Sequence, residues 1–164
     1  MNSPRLLFAA PASGSGKTTL VCGLLRALKN RGQAVRSFKC GPDFIDPLFH
    51  ETVVGVPSST LDLFFGAEEQ LRGLFCRHAA RAEISLIEGV MGYYDGLGAA
   101  TDRASSYEVA KALDAPHIVC AVHQTTSAGC LARPVPIMLS RVTRSARRSS
   151  LQPSVPFGRI GTTR

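Results

Sequence analysis

The chain has 164 residues, 45% hydrophobic and 19% charged, which is enough for one domain with a substantial core and unlike a disordered chain or a disulfide scaffold. No apolar run approaches the length of a membrane span, and no signal-peptide pattern opens the chain, so a cytoplasmic protein without a membrane partner is expected. The formal charge of +7 is uneven: twelve Lys and Arg in residues 1–123 face all twelve acids, whereas residues 124–164 hold seven arginines, no lysine and no acid. The basic balance therefore belongs to the last quarter and says nothing about the folded body. Five scattered cysteines, an odd number without a C-x-x-C pair, read as reduced thiols, with Cys22 and Cys120 in apolar surroundings as packing residues.

The first predicted element is a strand through Leu6-Leu7-Phe8-Ala9-Ala10. A loop of small residues follows, Pro11-Ala-Ser13-Gly14-Ser15-Gly16, then Lys17-Thr18-Thr19 and a helix whose apolar face is Leu20, Val21, Leu24, Leu25 and Leu28. Strand, small-residue loop and helix in that order form a phosphate grip: backbone N–H groups turn inward and the helix N-terminus adds partial positive charge. Gly16, Lys17 and Thr18 fit the pattern G-x-x-x-x-G-K-[ST], with Pro11 where the first glycine belongs. Ser13, Gly14, Ser15, Gly16, Lys17, Thr18 and Thr19 are thus candidate ATP-binding residues. Lys17 is placed on the β- and γ-phosphates and Thr18 on Mg2+.

Arg31-Gly32 ends the helix, and Ala34-Val35-Arg36-Ser37-Phe38-Lys39 reads as a second strand running into Cys40-Gly41-Pro42-Asp43-Phe44-Ile45-Asp46-Pro47. Ligands gather at the carboxyl ends of strands in open α/β sheets, which makes Lys39, Asp43 and Asp46 site candidates. Asp46, just before Pro47, reads equally as a helix N-cap, while Asp43 reads as a site residue. Thr60-Leu61-Asp62 reads as a loop near the site. Residues 68–82 suit a helix with Leu71, Leu74 and Phe75 inward and Arg72, Arg77 and Arg81 outward.

Ile84-Ser85-Leu86-Ile87 is a short strand closed by Glu88, where a phosphate-loop enzyme holds magnesium or its waters, and a glycine-rich stretch to Gly98 follows. Ser105 or Ser106 caps a helix through Leu113, and His117–Val122 reads as a fourth strand. Strands alternating with helices imply an α/β fold with a mostly parallel sheet covered on both faces, a P-loop NTPase-like three-layer arrangement.

Three loops in order, APASGSGKTT, KCGPDFIDP and EGVMGYYDG, resemble the cobyrinate a,c-diamide synthases of corrin biosynthesis. The likeness runs from about Leu6 to Val122 and takes in FHE at 49–51, TLD at 60–62 and the SSYEVAKAL helix; Pro11 is itself typical of these enzymes. The resemblance implies ATP-dependent amidation of the a and c acetate side chains of cobyrinate or hydrogenobyrinate, in cobalamin biosynthesis, through an acyl phosphate and with nitrogen drawn from glutamine. It implies catalytic roles for Lys17, Lys39, Asp46 and Asp95, and a magnesium shell of Thr18, Asp43 and Glu88. The partners it implies are a corrinoid acid and ammonia from a glutaminase domain absent from this chain, with a homodimer among the assemblies it allows. Phe44 stands where relatives carry Tyr, and Tyr93 where they carry Leu.

After Val122 the likeness breaks. The reading from sequence is therefore an ATP-binding synthetase domain, 1–123, partial at its C-terminus, and an Arg/Ser/Pro-rich, poorly ordered tail, 124–164, that fits a disrupted reading frame or shortened gene. Gly129-Cys130-Leu131-Ala132 lacks the small flanking residues of a nucleophile elbow, so glutamine hydrolysis by this chain is not expected. Two other readings fit parts of the sequence. One is a dethiobiotin synthetase-like ligase or a partitioning ATPase of the MinD/ParA kind, although the latter usually carries a lysine early in the phosphate loop and residues 11–15 have none. The other is nucleic-acid binding through the tail, for which no aromatic interleaving or base-reading motif speaks.

Overall fold

The computed structural model describes residues 3–98 and 101–120 in full, together with the backbone of 137–141. Its elements are β1 (Arg5–Ala9), α1 (Lys17–Asn30), β2 (Val35–Cys40), α2 (Ile45–Phe49) running into a π-helical turn (His50–Val54), β3 (Ser58–Leu61), α3 (Glu68–Ala79), β4 (Ile84–Glu88), α4 (Ser106–Leu113), β5 (Pro116–Cys120) and β6 (Ile137–Arg141). The strands form one sheet in the order β3-β2-β4-β1-β5-β6, parallel throughout except for β6, which runs antiparallel to β5. The mostly parallel α/β arrangement expected from the alternation of strands and helices is present. The tail expected over 124–164 otherwise lies outside the described residues, as do the last two residues of the strand expected over 117–122.

Side chains alternate across a strand, and the sheet here is apolar on both faces, as parallel strands between helices require. Leu7, Ala9, Phe38, Cys40 and Ile87 pack with Leu71 and Phe75 of α3 and with Val109 and Leu113 of α4. Phe8 and Leu86, one step out of phase, pack with Val21 and Leu25 of α1, with Val54 at the end of the π-helical turn and with Val56 just after it. Helices thus cover both faces in three layers. α1 ends as expected, with Gly32 at φ 77 in the left-handed region and the Arg31 N–H returning to Ala27 O. Ser105 rather than Ser106 caps α4, its hydroxyl accepting the Glu108 N–H at 3.2 Å.

Several expectations are corrected. Residues 58–61 are an edge strand rather than part of a loop, so the strand expected as the fourth is the fifth. Leu20 and Leu74 are 38% and 36% exposed, because each lies one residue off the buried stripe of its helix. α3 closes at Ala79, with Arg72 Nε turned back to the Ala112 carbonyl at 2.8 Å rather than outward. Asp46 is not an N-cap: Phe44 holds that position and Asp46 lies inside the first turn of α2. Asp43 instead does the turn chemistry, its Oδ1 accepting the Ile45 N–H at 3.0 Å.

Phe38 and Phe75, both fully buried, meet with ring centroids 5.0 Å apart, joining β2 to α3. Phe75→Ala should cost about 3–5 kcal/mol of folding stability, read from the shift in chemical denaturation midpoint at unchanged slope.

Candidate functional site

The sheet register builds the site. Phe8 of β1, Glu88 of β4 and Lys39 of β2 are aligned neighbours at the carboxyl ends of three adjacent parallel strands. Lys39 and Glu88 share the sheet face on which α1 packs, and Thr18 comes from the first turn of that helix. Glu88 is fully buried, and a carboxylate so placed requires partners. Lys39 Nζ donates to its Oε1 at 2.8 Å and Thr18 Oγ1 donates to the same oxygen at 2.5 Å. Lys39 Nζ also reaches Asp46 Oδ2 at 2.5 Å and lies 3.8 Å from Asp43 Oδ2. One ammonium therefore stands among three carboxylates.

The loop between β1 and α1 is shaped by Gly14 at φ 74 and Gly16 at φ 76, with Ser15 Oγ donating to Ala12 O at 2.9 Å. No side chain caps the N-terminus of α1 and no acid occupies its first turn, which leaves that end suited to an anion. Ser13 and Thr19 are exposed. Lys17 is buried, donating to Ala12 O at 3.1 Å and to Met91 O at 2.7 Å, so its ammonium joins the phosphate-grip loop to the loop after β4.

That second loop is held from two sides. Ser106 Oγ accepts the Val90 N–H at 2.9 Å and donates to Val90 O at 3.2 Å, while the Tyr93 N–H donates to Ala10 O at 2.8 Å. Gly92 is required by close approach: a Cβ there would lie 2.5 Å from Pro11 O and 2.6 Å from Asp95 Oδ2. Asp95 is exposed and accepts the Gly92 N–H at 2.8 Å. Met91, Tyr94, Asp95, Gly96, Gly98, Thr101 and Asp102 line an open cleft of about 590 Å³ beside it.

Residues 6–154 match the family described as the CobQ/CobB/MinD/ParA nucleotide binding domain. The chain belongs to that family. The match runs past residue 123, where the break in motif likeness and the change in composition set a boundary. Over 116 residues the chain is 48% identical to a cobyrinate a,c-diamide synthase of Listeria innocua, covering 70% of this chain and 26% of the relative. It is 46% identical over 116 residues to a hydrogenobyrinate a,c-diamide synthase of Streptomyces coelicolor, covering 71% of this chain and 24% of the relative. The chain thus spans about a quarter of the length of these curated relatives. Together with the sheet, this makes the chain a nucleotide-binding α/β domain of P-loop type. Among its described residues no helix is long and apolar enough to cross a membrane.

For a member of this family the donor set can be tested against magnesium. Glu88 Oε2 is buried without a hydrogen-bond partner among the described residues, and Glu88 Oε1 already meets Thr18. Among those residues no cluster of three His, Cys, Asp or Glu could hold a metal by itself. The free Oε2 beside Thr18 fits Mg2+, which takes one or two carboxylates and keeps most of its ligands as phosphate oxygens and water. Asp43 is brought to Lys39 rather than into hydrogen-bond contact with Thr18 or Glu88. Sequence reading missed two residues of this face: His50, fully buried, and Ser37, whose Oγ is 2.9 Å from His50 Nδ1. A polar residue two places before Lys39 in an apolar strand was the available signal.

Burial works to lower the Lys17 pKa, the Lys39 charge adds to that, and the net shift is downward. Burial also acts to lower that of Lys39, but Glu88 and Asp46 outweigh it and the pKa rises. For Asp46, burial acts upward, yet the Lys39 hydrogen bond and charge prevail and the pKa falls below its ordinary 3.8. A carboxylate depressed on folding stabilises the native state fully above its ordinary value, and the contribution is lost as pH falls through the lowered one. Wild type should therefore exceed Asp46→Asn in denaturation midpoint near pH 6, and the two should converge as the pH drops below about 3.8.

Proposed function

We propose that the chain is the ATP-binding part of an amidoligase that converts the a and c acetate carboxylates of a cobyrinate-type corrinoid to amides. What carries this reading is the Thr18–Glu88–Lys39–Asp46 chain of contacts beside an anion-gripping loop, in a sequence 46–48% identical to diamide synthases.

A carboxylate is a poor acyl donor because oxide would have to leave. In the proposed reaction its oxygen attacks the γ-phosphorus of ATP and ADP departs, leaving an acyl phosphate. Ammonia then attacks the acyl carbon, phosphate leaves, and one proton is lost. The first step brings two anions together, so positioned cations are the main catalytic need. Lys17, with the loop N–H groups of residues 13–19, would hold the phosphates, and Lys39 would face the carboxylate or the phosphoryl oxygens. Thr18 and Glu88, with Asp43 nearby, would hold Mg2+, which supplies neutralisation of the β- and γ-oxygens when bound. Asp46 fixes Lys39, and Asp95, exposed beside the cleft, is placed to orient substrate or take the proton from ammonium.

Titration of Mg-ATP into the chain should show binding that Lys17→Ala weakens by about 10–100-fold, the worth of a charge-assisted contact. Loss of no more than a few fold would sink the assigned role of Lys17. In the amidation assay, ammonia rather than glutamine should support any product formed from a corrinoid acid, and glutamate release by the purified chain should be undetectable.

A further inference from the structure

His50 is the largest polar residue on the α1 face of the sheet that the chemistry above leaves without a role. It opens the π-helical turn after α2, and its carbonyl accepts the Val56 N–H at 2.9 Å. The side chain is fully buried, with Nδ1 2.9 Å from Ser37 Oγ and Nε2 3.5 Å from Glu88 Oε2. Neither Nε2 nor Oε2 has a hydrogen-bond partner among the described residues, and the two buried atoms face each other at 3.5 Å. A neutral imidazole carries a single N–H, whose place is set by the partners of its two nitrogens.

The position of that proton follows from chemistry. A carboxylate oxygen accepts, so in such a ring the nitrogen facing Glu88 carries the hydrogen and Nδ1 accepts from the Ser37 hydroxyl. Ser37 is itself fully buried, which excludes a nucleophilic role and leaves an orienting one. The order Ser37, His50, Glu88 is thus a one-way relay of donors ending on the carboxylate that also meets Thr18 and Lys39.

We propose that His50 is a positioning residue that fixes the orientation of the Glu88 carboxylate for a divalent cation bound with the nucleotide, Ser37 in turn fixing the imidazole tautomer. The proposal rests on the placement of magnesium at Thr18 and Glu88 made above. Outer partners of metal ligands act by restricting orientation, and their loss typically weakens metal affinity about 10–100-fold. Lys17 and the loop N–H groups lie on other elements, so binding of metal-free ATP should not depend on His50.

The test uses Mn2+ as the probe, followed by electron paramagnetic resonance in the presence of ATP, with metal-free ATP affinity measured in chelator. His50→Leu should weaken Mn2+ about tenfold and change metal-free ATP affinity by less than about threefold. His50→Gln, whose amide N–H can replace Nε2–H, should restore most of the loss. Ser37→Ala, a smaller change than His50→Leu, should weaken Mn2+ by roughly threefold and decides the matter if His50→Leu does not fold. Unchanged Mn2+ affinity in Ser37→Ala and in a folded His50→Leu overturns the proposal, as does equal loss in His50→Leu and His50→Gln. Absence of Mn2+ binding by the wild-type ATP complex overturns instead the magnesium placement beneath it.

Discussion

A single buried ion pair, Lys39 with Glu88, decides what the rest of the site can be. Both groups lie almost wholly out of water, at neighbouring register positions of β2 and β4, so neither can lose its partner without leaving an uncompensated charge in the interior. The pair exists because α1 crosses over β4 to lead from β1 to β2, seating β4 between those strands. That crossover makes the phosphate-grip loop, the Lys39 loop and the glycine-rich loop after Glu88 neighbours at the carboxyl end of the sheet. Asp46 and Thr18 then attach from two different helices to charges the strands have already fixed.

Placing α2 over this pair has a cost in exposed surface. Phe44, Ile45 and Leu48 are 71%, 81% and 60% exposed, on the same short segment whose Asp46 turns inward to Lys39. Five residues of helix cannot bury an apolar stripe and also deliver an acid to the sheet, and here the acid has been delivered. The π-helical turn that follows compensates by sending His50 and Val54 inward, so the segment is anchored from its far end.

Much of this was legible in the sequence because strand, loop and helix follow one another within a few residues around Lys17, and because Glu88 closes an apolar run. Local order of that kind needs no tertiary information. β3 escaped notice because Ser58-Ser59-Thr60-Leu61 is short and polar, and its pairing with β2 is decided by distant chain. The roles of Asp43 and Asp46 were weighted the wrong way round for turn chemistry, since three residues of spacing cannot say which carboxylate bends back to the backbone. His50 lies in the FHE stretch that carries the likeness, but its role was not legible for a related reason: its partners, Ser37 and Glu88, are 13 residues before and 38 residues after it and meet it only across the folded sheet.

The approach of the Gly92 backbone to Pro11 O has a final consequence. Two loops meet there with no side chain at position 92 to hold them apart, so their spacing is set by bare main chain. Even one methyl group would have to be accommodated by moving the turn that contains Pro11, and with it the anion grip. The fit of the two loops is in this sense written by an omission, and its tolerance is smaller than a carbon atom.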